Sequence, residues 1–212
     1  MVASDAPTAS HVEQHKRIDD LRRSTVALTV MIEDRMIATC AGVWIDKHTV
    51  LTAAHCVEDE GPAVFYSTLE EFEDKKRHIA LVTAVDQKSD LALLFANPNN
   101  TEHPVVHLSL ASPNIGDSTE IIGHTSGYPW TYSRGEISSI RKDITRPIGH
   151  LEKALQISAP VWMGNSGGGA FDATGRLIGI SSWVSTAGPH LSFFVHRDVI
   201  EKFLKREAEK IL

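Results

Sequence analysis

The chain has 212 residues, of which 42% are apolar and 23% charged, and its formal net charge is −6. This length and composition are ordinary for a globular chain of one large domain or two small ones. The acidic balance argues against a general nucleic-acid binder, and no apolar run approaches the roughly 18 residues that a membrane-spanning helix needs.

The N-terminal residues 1–22 are polar and charged, with few apolar positions, and predict an arm or a surface helix. They contain no apolar segment of the kind that signal peptides carry. We therefore expect either a cytoplasmic protein or a chain whose leader has been removed, in which case a secreted or periplasmic location is favoured.

The rest of the chain alternates short apolar runs with turn-forming connectors, and this pattern predicts β-strands. One strand set covers 23–103 and a second covers 104–196, with a linker-like segment, NPNNTEHP, between them. Residues 197–212 change to helical spacing. The sequence therefore predicts an all-β architecture of two consecutive six-stranded antiparallel β-barrels, followed by a C-terminal α-helix.

Three residues in these strand sets have the side chains that nucleophilic hydrolysis requires. Ser166 lies among four glycines in WMGNSGGGAF, His55 ends the run VLTAAH, and Asp90 precedes the run LALLF. A serine nucleophile needs a base to take its proton, an acid to orient that base, and N–H donors to stabilise an oxyanion. Taken singly, a flexible turn, a buried histidine and a turn aspartate explain the three residues at least as well.

The segments TAAHC, DLALL and GNSGG occur in this order, two in the first strand set and one in the second. This order resembles that of the chymotrypsin-like, or trypsin-fold, serine peptidases, and the resemblance makes 23–212 one peptidase domain. It implies His55 as general base, Asp90 as the carboxylate that orients it, and Ser166 as nucleophile. The backbone N–H groups of Gly164 and Ser166 would form the oxyanion hole. The implied partner is a protein or peptide substrate, with no metal or organic cofactor.

The resemblance also implies supporting roles for neighbouring residues. Ser182 would support the Asp90 carboxylate, and the strand that continues through Trp183 would pair with the main chain of the substrate. Cys40 and Cys56 match a disulfide of the family, which would contribute on the order of 3 kcal/mol. In a cytosolic protein the same two cysteines would be reduced.

The sequence departs from the digestive members of the family at the residue before the nucleophile. Asn165 stands where zymogen-activated members have an aspartate that pairs with a newly cut N-terminus, so we predict activity without N-terminal cleavage. GNSGG is instead typical of HtrA/Deg-like and other bacterial-type members. His124 replaces their usual asparagine, and no PDZ sequence follows the helix.

The S1 pocket, which takes the P1 side chain before the scissile bond, is expected to have an unusual lining. One wall would consist of Pro160, Val161, Trp162 and Met163. Val184 stands where a glycine leaves the pocket open, which favours a small or medium apolar P1 residue. His190 at the base or rim gives the alternative of an acidic P1 residue. Cleavage after Lys or Arg is not expected, because Pro160 stands where a trypsin has aspartate.

The main functional alternative to an active serine endopeptidase is a catalytically silent binding module with the same fold. The presence of all three predicted catalytic residues favours the enzyme. An esterase of the α/β-hydrolase class has the order Ser, acid, His and is not expected here, although GNSGG matches its G-x-S-x-G pattern. The sequence leaves the oligomeric state open.

Overall fold

The computed structural model describes residues 9–32, 35–57, 63–72, 75–98, 103–146, 149–188 and 191–210. Within these ranges, twelve strands form two closed antiparallel barrels of six strands each, and a helix follows the second barrel. The predicted all-β architecture is therefore confirmed. None of the helices in the described ranges is long and apolar enough to cross a membrane.

The first barrel has the strand order β1–β2–β3–β6–β5–β4 and closes where β4 pairs with β1. Its strands are β1 (Thr25–Ile32), β2 (Arg35–Trp44), β3 (Thr49–Thr52), β4 (Ala63–Ser67), β5 (His78–Asp86) and β6 (Leu91–Ala96). Alternate side chains point inward, and the interior is filled by fully buried residues that include Leu28, Trp44, Val50, Tyr66 and Leu94.

The second barrel has the strand order β10–β11–β12–β9–β8–β7 and closes where β10 pairs with β7. Its strands are β7 (Ser118–Gly123), β8 (Thr131–Arg146), β9 (Gly149–Ile157), β10 (Gly169–Phe171), β11 (Leu177–Val184) and β12 (Ser192–His196). The interior contains Ile121, Ile137, Leu155, Ile178 and Phe194. The loop from β9 to β10 carries Ser166.

Helix α1 (Ala9–Arg23) precedes the first barrel, α2 (Leu69–Phe72) lies between β4 and β5, and α3 (Arg197–Glu209) follows β12. The sequence predicted either an arm or a surface helix for the N-terminal residues 1–22, and the structure has helix α1 in this segment. Arg17 of α1 donates two hydrogen bonds, of 2.7 and 3.1 Å, to the buried carboxylate of Glu120 on β7. Helix α1 is therefore attached to the second barrel as well as to β1, which follows it in the chain.

The two barrels share a third group of buried side chains at their interface. Leu51 and Leu91 enter it from the first barrel, and Ile122, Ile180 and Val195 enter it from the second. Burial of this apolar surface from water favours the association of the barrels. The loop after β3, the turn before β6 and the loop before β10 therefore lie close together at the interface of the two barrels.

Candidate active site

The three predicted catalytic residues lie on three of these loops. His55 belongs to a short helical turn, Ala54–Cys56, directly after β3. Asp90 is the last residue of the turn before β6, and Ser166 lies just before β10. Small, fully buried residues, Ala53 and Ala54, precede the histidine and let the chain turn tightly out of the strand.

The imidazole of His55 faces the carboxylate of Asp90. His55 Nδ1 lies 2.9 Å from Asp90 Oδ1 and 3.1 Å from Oδ2, and the backbone N–H of His55 donates to Oδ1 at 3.1 Å. Ser182 Oγ donates a further hydrogen bond to Oδ2. Because an ionised carboxylate only accepts, this geometry assigns the ring hydrogen to Nδ1 and leaves Nε2 as an acceptor.

Ser166 and His55 line one cavity of about 330 Å³, together with Met163, Trp183 and Val184 among others. The Asp90 carboxylate is fully buried behind the imidazole, whose side chain is 23% exposed. Among the contacts of the described residues, no hydrogen bond joins Ser166 Oγ to His55 Nε2. Such bonds are often long without substrate and tighten when it binds. The cavity thus holds an imidazole nitrogen and a hydroxyl, neither of which has a hydrogen-bond partner in the part of the chain that the structure describes.

Two backbone N–H groups at the nucleophile lack an acceptor among the described residues. Asn165 N–H bonds to Trp162 O at 3.2 Å, but the N–H groups of Gly164 and Ser166 have no acceptor among the described residues. Met163 O accepts a hydrogen bond of 2.8 Å from Ser126 N–H. In a trans peptide the C=O and the next N–H point in opposite directions, so Gly164 N–H points away from Ser126.

Glycine is required at position 164 by its conformation and its surroundings. Its φ is +98°, in the left-handed region, and a Cβ there would lie 2.3 Å from the carbonyl oxygen of His124. A side chain would therefore both strain the backbone and displace the neighbouring turn. The neighbouring Asn165 is buried, and its amide donates to Thr125 Oγ1, so this position forms a neutral contact rather than an ion pair.

Cys40 and Cys56 form a disulfide, the pairing that the resemblance implied. Both residues are buried, and they connect β2 to the residue that follows His55. Beside Cys40, Ala41 N–H donates to Ser166 O at 2.7 Å. The disulfide therefore connects the loop of His55 to β2, the strand that also forms a hydrogen bond with the loop of Ser166.

A second cavity, of about 270 Å³, lies beside the first. Three of the four predicted wall residues, Pro160, Val161 and Trp162, line it, while the fourth, Met163, lines the first cavity and is 69% exposed. Trp162 and Val184 line both cavities and so stand between them. Trp183 stacks on Phe193 with ring centroids 4.4 Å apart. His190 lies outside the described residues.

The sequence did not single out Thr125, Leu191 and Ser192, which also line the second cavity. Leu191 and Ser192 directly follow the predicted His190, but the run HLSFF gives no indication of which side chains turn inward. No group of three or more His, Cys, Asp or Glu side chains in the described ranges is arranged to hold a metal ion.

His124 is a second buried histidine close to the site. It is 1% exposed, and burial lowers the pKa of its imidazole to about 4, although a hydrogen bond to Val26 O works in the opposite direction. The imidazole is therefore neutral at neutral pH.

Two closed antiparallel barrels, with a serine, a histidine and an aspartate on loops at their interface, define the trypsin-like class of domain. The family model described as "Trypsin-like peptidase domain" matches residues 40–180. The chain therefore belongs to the trypsin-like peptidase domain family.

Named relatives agree with this assignment. The chain is 32% identical over 165 residues to "Serine protease HTRA2, mitochondrial" of Drosophila willistoni, covering 76% of this chain and 36% of the relative. It is 30% identical over 152 residues to "Probable serine protease do-like" of Buchnera aphidicola, covering 71% of this chain and 30% of the relative. The predicted similarity to HtrA-like members is thus confirmed, and the chain spans about a third of the length of these relatives.

Solved structures support the fold. The serine endoprotease from Yersinia pestis superposes with a TM-score of 0.76 at 22% identity, covering 95% of this chain and 67% of that one. The active form of the Rv3671c protease from M. tuberculosis superposes with a TM-score of 0.75 at 18% identity, covering 93% of this chain and 86% of that one.

Proposed function

We propose that the protein is a serine endopeptidase that hydrolyses peptide bonds through an acyl-enzyme. The observation that carries this proposal is that His55, hydrogen-bonded to the buried Asp90 carboxylate, lines the same cavity as Ser166. His55 Nε2 and the N–H groups of Gly164 and Ser166, none of which has a partner among the described residues, match the base and the oxyanion donors that acyl transfer needs.

In the proposed reaction, Ser166 Oγ attacks the scissile carbonyl carbon while His55 Nε2 takes the hydroxyl proton. The N–H groups of Gly164 and Ser166 bind the oxyanion, and the Asp90 carboxylate stabilises the imidazolium. When the C–N bond breaks, Nε2 gives its proton to the leaving amine. Water then attacks the acyl carbon as it loses a proton to Nε2, and Nε2 returns this proton to Ser166 Oγ when the bond between Oγ and the acyl carbon breaks.

Covalent labelling tests this proposal directly. A fluorophosphonate should label the intact, unprocessed chain at neutral pH, because Ser166 Oγ displaces its fluoride, and Ser166→Ala should abolish the label. Ser112→Ala removes an exposed hydroxyl outside the site and should leave labelling unchanged.

Each alternative would give a different labelling result. A folded, intact chain that remains unlabelled would favour the silent binding module. Labelling that appears only after proteolysis would contradict the role inferred for the uncharged Asn165.

We further propose that the second cavity is the S1 pocket and takes a small or medium apolar P1 side chain such as Ala or Val. Apart from Thr125, Ser185 and Ser192, its lining is apolar or glycine, with Val184, Pro160 and Leu191 among the residues that narrow it. No charged side chain among the described residues lines it, and a buried cation without a partner would be costly there. The alternative of an acidic P1 residue depends on His190, outside the described residues.

A peptide library checks the proposed P1 preference, with Val184→Gly as the informative variant. The wild type should cleave mainly after Ala or Val. Val184→Gly should raise kcat/KM for a Phe P1 relative to Ala by about 10-fold or more, because removing apolar groups from a pocket wall changes selectivity by this order.

Val85→Gly is a matched control for this experiment, since Val85 is a half-exposed strand residue of β5 away from both cavities. It should leave the profile unchanged. Dominant cleavage after Arg would contradict the proposal, and dominant cleavage after Asp or Glu would support the alternative that involves His190.

A further inference from the structure

The turn His124–Gly127, which follows β7, packs on the residues just before the nucleophile through three contacts. Ser126 N–H donates to Met163 O at 2.8 Å, and Thr125 Oγ1 accepts from the Asn165 amide. The carbonyl oxygen of His124 lies against Gly164, where a Cβ would come within 2.3 Å of it. These contacts determine the orientation of the peptide between Met163 and Gly164, and hence the direction of Gly164 N–H.

Two residues of the loop that contains this turn have a backbone conformation that is unfavourable for residues with a side chain. Ser126 and Trp130, at either end of the loop that leads into β8, have φ values of +52° and +49°. Left-handed φ values are uncommon for residues with a side chain and persist only where surrounding contacts impose them. The loop therefore needs an anchor.

The imidazole of His124 supplies this anchor with both of its nitrogens. Nδ1 accepts a hydrogen bond of 3.0 Å from Trp130 N–H, and Nε2 lies 3.1 Å from the carbonyl oxygen of Val26 on β1. Trp130 adds a hydrogen bond of 2.9 Å from its Nε1 to Thr25 O. Both bonds of the imidazole require the neutral ring with its hydrogen on Nε2, which agrees with the lowered pKa of His124.

We propose that His124 is a positioning residue that keeps the oxyanion hole formed, by fixing the His124–Gly127 turn to the first strand of the first barrel. This inference rests on the proposed peptidase function. In zymogen-activated members, an aspartate at the position of Asn165 pairs with the newly cut N-terminus. In this chain, a neutral series of contacts that runs from Val26 through His124 to Met163 and Gly164 takes the structural role of that ion pair. An apolar side chain of similar size would remove the hydrogen bond to Val26 C=O and leave the buried Trp130 N–H without its acceptor, and the turn would move to satisfy that N–H.

The test compares His124→Leu with His124→Gln, whose amide offers one donor and one acceptor. Peptidase kinetics would be combined with the affinity of two matched ligands, a peptide aldehyde and the corresponding peptide alcohol. The aldehyde forms a tetrahedral adduct with an oxyanion, and the alcohol does not. We expect His124→Leu to lower kcat by about 10²-fold, the order seen when one oxyanion donor is lost.

The pattern of effects identifies the role. In His124→Leu, the aldehyde affinity should fall by a factor similar to that for kcat, while KM and the alcohol affinity stay within about 3-fold. His124→Gln should recover most of the loss. His196→Leu is the matched control, because His196 is also a fully buried histidine, but it caps α3 instead. It should lower the Tm without a selective loss of aldehyde affinity.

Trp130→Phe tests the same link if His124→Leu does not fold, because it keeps an aromatic ring and removes only the bond to Thr25 O. It should lower kcat and aldehyde affinity together, by a smaller factor than His124→Leu. Unchanged kcat in the folded variants, or equal losses for aldehyde and alcohol, would overturn the inference. A wild type that neither turns over peptides nor reacts with a fluorophosphonate would instead contradict the proposed function itself.

Discussion

Ser166→Ala is expected to lower kcat for peptide hydrolysis by about 10⁶-fold, and the double variant with His55→Ala is expected to lose little more. The two side chains act in one step, since the hydroxyl becomes a nucleophile only as the imidazole takes its proton. Once either group is missing, the other has no partner on which to act. The residual rate in all three variants would come from substrate binding and the oxyanion donors.

Single-turnover kinetics with a peptide or an activated ester would measure these losses, and thermal unfolding would show that the variants are folded. The Ser112→Ala variant serves again as the control for loss of a hydroxyl. Two losses that multiply in the double variant would mean that Ser166 and His55 do not act on the same proton. That result would contradict the proposed mechanism even if each single variant were slow.

The part of the site that could be predicted from sequence is the part that local patterns encode. Strand periodicity is a property of a few consecutive residues, and so is the glycine-rich stretch around Ser166. With only two cysteines in the chain, a single disulfide pairing is possible. The order of the three motifs then predicts, through the family resemblance, His55, Asp90 and Ser166 as the candidate catalytic residues.

The contacts that shape the site could not be predicted in the same way, because they join residues far apart in sequence. His124 meets Val26 across 98 positions, and Asn165 meets Thr125 across 40. Which residues of two barrels come together depends on strand register and on the packing of the barrels, and periodicity contains neither. The sequence shows His124 only as a departure from the family's usual asparagine and gives no partner that would suggest a role.

Asp90 has one feature that the local sequence predicts, its place in a turn, and contacts with distant residues that the local sequence does not predict. From sequence alone, a turn aspartate explains Asp90 at least as well as a catalytic role, and Asp90 does end a turn, with a φ of +55°. The structure shows that its carboxylate is fully buried. It accepts hydrogen bonds from His55, on a loop of the first barrel, and from Ser182, on β11 of the second barrel. Burying a carboxylate is costly unless such donors bind it.

Asp90→Asn should therefore lower kcat by about 10⁴-fold at neutral pH, with little change in KM. The amide has no charge to stabilise the imidazolium of His55, and it no longer selects the ring form that carries its hydrogen on Nδ1. The backbone should tolerate the substitution, because asparagine is among the residues that adopt a left-handed φ most readily.

Asp86→Asn provides the matched control for Asp90→Asn. Asp86 lies at the other end of the same β5–β6 turn, where it pairs with Arg206 at 2.9 Å and accepts from Ser89 N–H, away from both cavities. Burial opposes ionisation there, but the hydrogen bond from Arg206 and those from Ser89 leave the pKa of Asp86 below its usual value. Its amide variant should lose some stability and keep kcat within about 3-fold, because a partly exposed ion pair contributes little. If Asp90→Asn also kept kcat within 10-fold of the wild type while remaining folded, Asp90 could not be the group that orients His55, and the buried carboxylate would have to be explained as a structural link between the barrels.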